Sequence, residues 1–515
     1  MSTNSEANKR IAKNTMLLYI RMGVMMIISF FTARITLEAL GVVDYGINNV
    51  VGGLVSMFSL ISSSLSSSVS RFITFGLGKG DKKELNTIFS TSVNIHVILA
   101  IIVVIAIETI GIWFLNNKMV IPVDRLTAAH WVLQCSTSMF AIGLLSVPYN
   151  ATIIAHERMD VYAYFTLFDA FSRLAIIFAI KYYGGDKLIL LAIISLIPSL
   201  IKQFYYWHFS KKHFEECTYH AVWDKKVFKE MFGFAGWNFF GNAAFIMNTQ
   251  GINMLINIFY GVTLNAARGI AVQVMSIVEQ FTGNFTAAIN PQITKSCASG
   301  DNKHLYFLIE KSSKFNFFLM LIIVTPVILE CKTLLELWLG EIPDHTVNFV
   351  ILNLIRALTI IMSNSLLTAI LATGKIKQYQ TIVIFTTIWV FILTYFAFDI
   401  GLPPETTYII HICIYVILII IRIVYAKKLI GLDYISFIKN VVFRCLYVLC
   451  LVSIAPIIIA MTTEPEILRL LVSVPTTIIY SIFIIYLFGL DSGEKNSIKR
   501  ILCRRLKKIN LKKNH

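Results

Sequence analysis

Residues 80–85 read Gly-Asp-Lys-Lys-Glu-Leu, and residues 300–305 read Gly-Asp-Asn-Lys-His-Leu. Both are polar islands between long apolar runs, so their likeness is not hydrophobic filler. Extended without gaps, the same offset of 220 residues lays Gly41–Asn94 over Gly261–Lys314. Ten of 54 positions are then identical, among them Gly41/Gly261, Ile73/Ile293, Thr74/Thr294, Asp81/Asp301, Lys83/Lys303 and Ser92/Ser312. A match at one fixed offset marks a duplicated unit. The offset maps a second helix onto an eighth, so each unit holds six helices and both face the same way. Two parallel six-helix lobes around a central cleft make a transporter architecture, with a site expected between the repeats.

The runs around these islands are long enough to cross a bilayer. The chain is 57% hydrophobic and 14% charged, with a mean hydropathy of +0.72. Soluble domains are nearer half apolar and about a quarter charged. About 20 apolar residues span a hydrocarbon core of roughly 30 Å. Such runs recur at 15–37, 45–71, 87–115, 127–150, 160–182, 187–207, 233–259, 263–291, 315–337, 347–372, 379–399, 406–426, 441–461 and 467–488, here TM1 to TM14 in order. The sequence thus predicts an all-α integral membrane protein of about fourteen helices. It divides into a cytoplasmic segment (1–14), a first lobe (15–207), a linker (208–232), a second lobe (233–426), two extra helices (441–488) and a basic tail (489–515). The runs are continuous rather than alternating, which excludes a membrane β-barrel. The basic start lacks a small-residue cleavage site, so TM1 is expected to be retained. Eight scattered cysteines without a Cys-x-x-Cys argue against a disulfide framework or a cysteine metal site.

The net charge of +16 is distributed by side. With the amino terminus inside, the inner connections carry 30 Lys and Arg and the outer ones six: Lys118, Arg125, Lys181, Lys187, Lys332 and Arg469. That asymmetry places both termini in the cytoplasm of a bacterial inner membrane. The excess charge faces anionic lipid headgroups, and no nucleic-acid partner is needed to explain it.

Several segments resemble the polysaccharide flippases (Wzx type) of the multidrug/oligosaccharidyl-lipid/polysaccharide exporter superfamily. They are Arg21 through Ala33-Arg34-Ile35 to Leu40-Gly41-x-x-Asp44-Tyr45-Gly46, then Ala155-His156-Glu157-Arg158-Met159, Asn265-Ala266-Ala267, Pro291-Gln292-Ile293 and Leu337-Trp338-Leu339-Gly340. The resemblance implies a V-shaped two-lobe fold working by alternating access. Its implied cargo is an oligosaccharide on a polyprenyl diphosphate, flipped outward for O-antigen or capsule assembly. Membrane lipids are implied partners, with a polysaccharide polymerase and glycosyltransferases beside them. Related lipid II flippases carry a second TM1 arginine six residues beyond the first, where this chain has Ile27.

Charges inside the spans are costly, roughly 2.5–3.5 kcal/mol for a central arginine on insertion scales. They are Arg21, Arg34, Arg71, Arg173, Arg268, Arg356, Arg422 and Arg444 against Glu108, Asp169, Glu279 and Glu330. Arg71, Arg422 and Arg444 lie near cytoplasmic ends, where snorkelling is expected. Arg173 and Asp169, like Arg34 and Glu38, have the spacing of local helix pairs. Arg21, Arg268 and Arg356 have no acid at i±3 or i±4. In the family resembled, the helices of Arg21 and Arg268 line the cleft. A guanidinium fork grips two phosphate oxygens, so Arg21, Arg268, Arg34 and Arg356 are the candidates for a diphosphate. The competing reading is hydrogen bonding to carbonyls of neighbouring helices.

TM2 carries a serine run, with Ser63, Ser67 and Ser70 as a candidate cavity wall, and TM8 adds Asn284. Small-residue helix packing is the alternative. Glu279, Glu108 and Asp169 are the candidates for a coupling ion, H+ or Na+; no cofactor is expected. His96 reads as a packed histidine, and His208, His213, Cys217 and His220 as a solvated loop without zinc spacing. No phosphate loop or catalytic motif occurs, so no enzymatic activity is expected. Two rivals remain: a multidrug or organic-cation antiporter of the same fold, and a membrane glycosyltransferase or polymerase, for which the outer loops are short.

Overall fold

The computed structural model describes residues 31–59, 81–156, 158–233, 246–373, 377–462 and 467–496, with single positions at 28 and between 62 and 77. Among the described residues every regular element is helical. Eight helices are long and apolar enough to cross a membrane, and the bent pair Thr346–Ile361 and Asn364–Ala372 makes a ninth. These match TM3, TM4, TM6 and TM9 to TM14. The other five predicted spans are largely helical where they are described, as in Met159–Lys181 and Val262–Ser299, with a turn at Met57–Phe58 inside TM2. The protein is a multi-pass helical membrane protein.

The repeat has a physical basis. Gly41 and Gly261, equivalent at the 220-residue offset, both adopt left-handed φ, 77° and 81°. A side chain is penalised there, so glycine lets TM2 and TM8 start straight off the preceding helix. Asp81 and Asp301 are equivalent N-caps: Asp81 accepts from the Lys83 and Glu84 amides, and Asp301 from the His304 amide. Each satisfies donors that a helix start leaves orphaned. One turn past Ser92 and Ser312, the buried His96 and Asn316 each bond back to that serine.

By packing, the chain falls into two compact units. One runs to Ile270 and includes Pro343–Thr346 and Thr387–Thr407; the other holds Ala271–Ile342, Val347–Thr386 and Tyr408–His515. The first unit centres on Val50, Val51, Leu99, Val103, Val132, Leu133 and Leu144, from TM2, TM3 and TM4. Its outer loops are tied by Arg125, which forks onto Asp44 (2.8 and 2.6 Å) and reaches Asp186 at 2.7 Å. Asp186 also caps the TM6 helix through the Leu188 and Ile189 amides. The hydrogen bond from Arg125 holds the Asp186 carboxyl below its ordinary range.

His208, His213 and His220 are exposed, as a solvated loop requires, whereas Cys217 departs from that expectation and is buried. TM3 runs Lys82–Asn117, 36 residues, and at 1.5 Å per residue that length (~54 Å) exceeds a bilayer core. Its exposed apolar face begins at Val97. The turns before it carry Lys82, Asn86, Ser90 and Asn94, four residues apart on one face. Each holds the linker. Lys82 pairs with Glu215, Asn86 donates to the Glu216 and Thr218 carbonyls, Ser90 accepts from the His220 amide, and Asn94 donates to the Val222 carbonyl. Phe214 and Cys217 are buried among Phe89, Tyr149, Ile153 and Tyr206. Burial pushes the Cys217 thiol up to about 12.

In the second unit, TM9 (Asn302–Leu329) carries the extra helices. At its C-terminal end the buried Glu330 accepts both arms of Arg469 at 3.0 Å and the Ser473 hydroxyl at 2.6 Å, both from TM14. Toward its N-terminal end Lys311 and Lys314 hold Asp491 and Glu494 just beyond TM14, and Glu310 accepts from Ser436 before TM13. Polar anchors thus fix TM14 to TM9 at both ends.

Candidate functional site

The sequence candidates meet different fates in the structure. Arg21, Ser63 and Ser67 lie outside the described residues, as does the Asn284 side chain. Ser70 is half-buried on TM2. Arg34 is exposed; its neighbour Glu38 bonds Lys181 at 2.8 Å and feels Arg34 only through charge, so the expected local pair is replaced by one across helices. Asp169 is held by Arg173 at 3.5 Å, as its spacing suggests, and by Lys202 of TM6 at 3.6 Å.

Arg268 is buried, and its surroundings follow from an irregular turn. TM7 widens into a π turn over Met247–Gly251. Such turns leave helix carbonyls without their usual donors and mark functional positions. Arg268 donates from Nη2 to the Thr249 carbonyl at 3.0 Å. Asn248 in the same turn donates to the Thr387 carbonyl at 2.9 Å, while its own carbonyl oxygen is buried without a partner among the described residues. The guanidinium therefore already braces backbone, as the competing reading held. TM3 has a matching irregularity at Ile107–Gly111, where Glu108 accepts from Gln134 of TM4 at 3.0 Å.

Arg356 and Glu279 are brought near one another. Arg356 donates from Nε to Asn353 at 2.9 Å, and Asn353 reaches the Ala271 carbonyl of TM8 at 3.2 Å. Glu279 is exposed at the protein surface, within the field of the Arg356 charge. Among the described residues no ion pair or hydrogen bond reaches the Glu279 carboxylate. An acid and a guanidinium that neighbour one another without a salt bridge can exchange partners with an anion or a cation. Polar bonds nearby in the same unit order TM8: Thr286 donates to Asn316 of TM9 (3.2 Å) and Asn290 accepts from Thr368 of TM10 (3.0 Å).

One residue departs from its sequence reading. Arg422 does not snorkel. It is 6% exposed and donates to the Ser363 hydroxyl at 2.7 Å and the Tyr379 hydroxyl at 3.2 Å. Ser363 sits where TM10 bends by 41°. Position along TM12 suggested a lipid-facing tip, and only the helix break, unsigned by Pro or Gly, explains the burial. Among the described residues no cluster of three or more His, Cys, Asp or Glu could hold a metal ion.

The helices and their order define a class: a multi-pass, all-helical membrane fold with an internal repeat. A solved structure of the lipid II flippase MurJ in an inward closed conformation superposes with a TM-score of 0.72, covering 92% of this chain and 98% of that one at 14% identity. An inward-facing multidrug resistance MATE family transporter of the MOP superfamily gives 0.66, covering 80% of this chain and 98% of that one at 12% identity. The chain has the fold these proteins share, as the resemblance implied. In sequence it is 17% identical over 314 residues to the uncharacterized membrane protein EpsK of Bacillus subtilis (strain 168), spanning 61% of this chain and 62% of that relative. No family model matches the chain.

Proposed function

We propose that this protein is a flippase that moves polyprenyl-diphosphate-linked oligosaccharide from the cytoplasmic to the outer leaflet of a bacterial inner membrane, for O-antigen or capsule assembly, by alternating access. The observation that carries the reading is the fold shared over 92% of the chain with a flippase of a lipid-linked precursor. The asymmetry of loop charge supports cytoplasmic termini. The cationic lean of the candidate residues supports a diphosphate over a cationic drug, with Arg21, Arg268 and Arg356 as the proposed grip. Glu279 is the favoured site for a coupling H+ or Na+, since Glu108 and Asp169 are already paired. No enzymatic step is assigned to the chain. Glycosyltransferases would supply the cargo and a polymerase would consume it.

The fold shared with the MATE transporter keeps one other reading, an antiporter of organic cations. Deletion of the gene decides between them. The expected result is lipid-linked oligosaccharide retained on the cytoplasmic leaflet and loss of surface polymer, with glycosyl transfer in isolated membranes intact. Normal polymer with new sensitivity to cationic dyes would instead establish the antiporter.

A further inference from the structure

Arg422 is a buried charge that the transport reading does not use. It lies on TM12, and its partners lie on TM10 and TM11, all within one compact unit. Its Nε donates to the Tyr379 hydroxyl at 3.2 Å and its Nη1 to the Ser363 hydroxyl at 2.7 Å. Both partners are 1% exposed and neither carries a charge. Among the described residues Nη2 makes no hydrogen bond, and no carboxylate pairs with the guanidinium. A charge taken out of water without a counter-charge is expensive to hold, and inside a membrane it marks a site by default.

The hydroxyls hold the guanidinium from two sides, and each still has its own proton to give. Ser363 turns its proton to the Ile360 carbonyl at 3.5 Å, within the break of TM10. Tyr379 has no acceptor for its proton among the described residues. In a guanidinium, Nε–H and one Nη2–H leave along the same edge, the fork that grips paired oxygens. Tyr379 fills the Nε half of that edge. Nη2–H and the Tyr379 O–H therefore stand side by side, both donors and both uncommitted. Two converging donors on a full positive charge, with no acid beside them, are the recognition pattern for an oxyanion.

The neighbouring helix ends say which oxyanion. The Tyr379 ring meets Tyr425 at 5.6 Å between centroids, Lys428 Nζ stands 5.8 Å from the Tyr425 ring, and Lys428 bonds Gln378 at 3.2 Å. Beside it Lys427 lies 4.4 Å over Tyr434. Lys377, Gln378, Lys427 and Lys428 are exposed. Aromatic rings carrying lysines mark a headgroup layer, and basic groups between helix ends hold anionic headgroups there. Ile417, Ile420 and Val424 leave an exposed apolar face on TM12 for acyl chains. We propose that Arg422 and Tyr379, with Ser363 fixing the guanidinium plane, form a phosphate site filled by the headgroup of an anionic phospholipid. The site shares no residue with the proposed cargo grip and does not depend on what the protein carries.

The test titrates full-length protein, purified in neutral detergent and stripped of lipid, while its thermal unfolding is followed. The probes are phosphatidylglycerol, phosphatidylcholine with the same acyl chains, and inorganic phosphate. Phosphatidylglycerol should raise the melting temperature at concentrations where phosphatidylcholine does not. Arg422→Lys and Tyr379→Phe should each raise the half-saturating phosphatidylglycerol concentration about tenfold, the loss of one charge-assisted hydrogen bond. Both variants keep the net charge, so a weaker surface attraction cannot produce that change. Half-saturation is read within each variant, so a lower starting melting temperature does not hide it. Wild-type half-saturation in both variants overturns the site. Equal shifts from the two lipids overturn the anionic headgroup. A rise with inorganic phosphate as large as with phosphatidylglycerol, lost in both variants, would keep the oxyanion site and overturn its assignment to lipid.

Discussion

Arg268 on TM8 donates to the Thr249 carbonyl on TM7 at 3.0 Å, within a π turn where that carbonyl also accepts from the Ile252 amide. The same arginine is a candidate for the cargo diphosphate. The two roles fit one cycle: the guanidinium braces the π turn when the site is empty and turns to phosphate when cargo arrives. A backbone oxygen is a weaker partner than a diphosphate, which offers the guanidinium fork full negative charge and two oxygens at once.

Arg268→Ala should therefore do two things. It removes the charged one of the donors to the Thr249 carbonyl, a bond of a kind worth about 1.5–3 kcal/mol, so the purified variant should melt earlier. It should also cut export per inserted molecule strongly, while Arg268→Lys restores stability better than export, since the fork is lost and the charge kept. Arg21→Ala should reduce export in the same way. Wild-type export from the Arg21→Ala, Arg268→Ala double variant at normal abundance would eliminate the cationic grip.

A second prediction concerns the buried pair that ties TM14 to TM9. Glu330 is 1% exposed and gives its whole carboxylate to Arg469 and Ser473. Removing one partner of a buried pair strands the other charge, typically at about 3–5 kcal/mol. Arg469→Ala should lower the amount of folded protein sharply, and Arg469→Ala with Glu330→Gln should recover part of it. Abundance and thermal unfolding of the two variants read this directly; equal loss in both would remove the pair as the cause.

The linker offers a third. Asn86→Ala with Asn94→Ala removes four of the bonds that lay it along TM3. Hydrogen exchange over residues 215–223 should speed up while the rest of TM3 stays protected. Unchanged exchange would mean that the buried Phe214 and Cys217 hold the segment without the ladder.

How much of this was legible beforehand depends on what each residue needs around it. The repeat could be read because Gly41/Gly261 and Asp81/Asp301 answer local demands, a left-handed turn and a helix cap, that sequence states outright. The motifs behind the family resemblance also gain local causes. Asp44 receives Arg125, Asn265 ties TM8 to TM7, Gly46 admits Val262, and His156 stacks on Phe214 while meeting Glu216 at 2.5 Å. Tertiary partners were not legible. Arg125 counts only as an outer charge in the sequence, because Asp44 and Asp186 are 81 and 61 residues away. Glu330 and Arg469 are separated by 139 residues, and the ladder on TM3 meets a partner more than 120 residues on. The π turn at Met247–Gly251 has no sequence marker at all, so the carbonyl that Arg268 serves was invisible.

The last prediction is a pH dependence at the C-terminal end of TM14. Asp491 and Glu494 cap one another, each accepting from the other's backbone amide, at 2.8 and 2.7 Å. Lys311 reaches both carboxylates, and Lys314 bonds Glu494 at 2.8 Å. Burial works to raise the Asp491 carboxyl, but the Lys311 hydrogen bond, the Glu494 amide and the two lysine charges outweigh it and hold it at about 2, below the ordinary 3.8. A carboxyl depressed in the folded state stabilises that state above its unfolded value and loses the contribution as pH falls toward the folded value. The clamp should therefore be intact at neutral pH and weaken between about pH 4 and 2. Proteolysis of the 491–496 segment in detergent-solubilised protein should be slow and constant above that window and faster within it. Asp491→Asn should remove the Asp491 part of the dependence and give intermediate proteolysis at neutral pH, because Glu494 still holds both lysines. A wild-type profile in Asp491→Asn would show that the clamp rests on Glu494 alone.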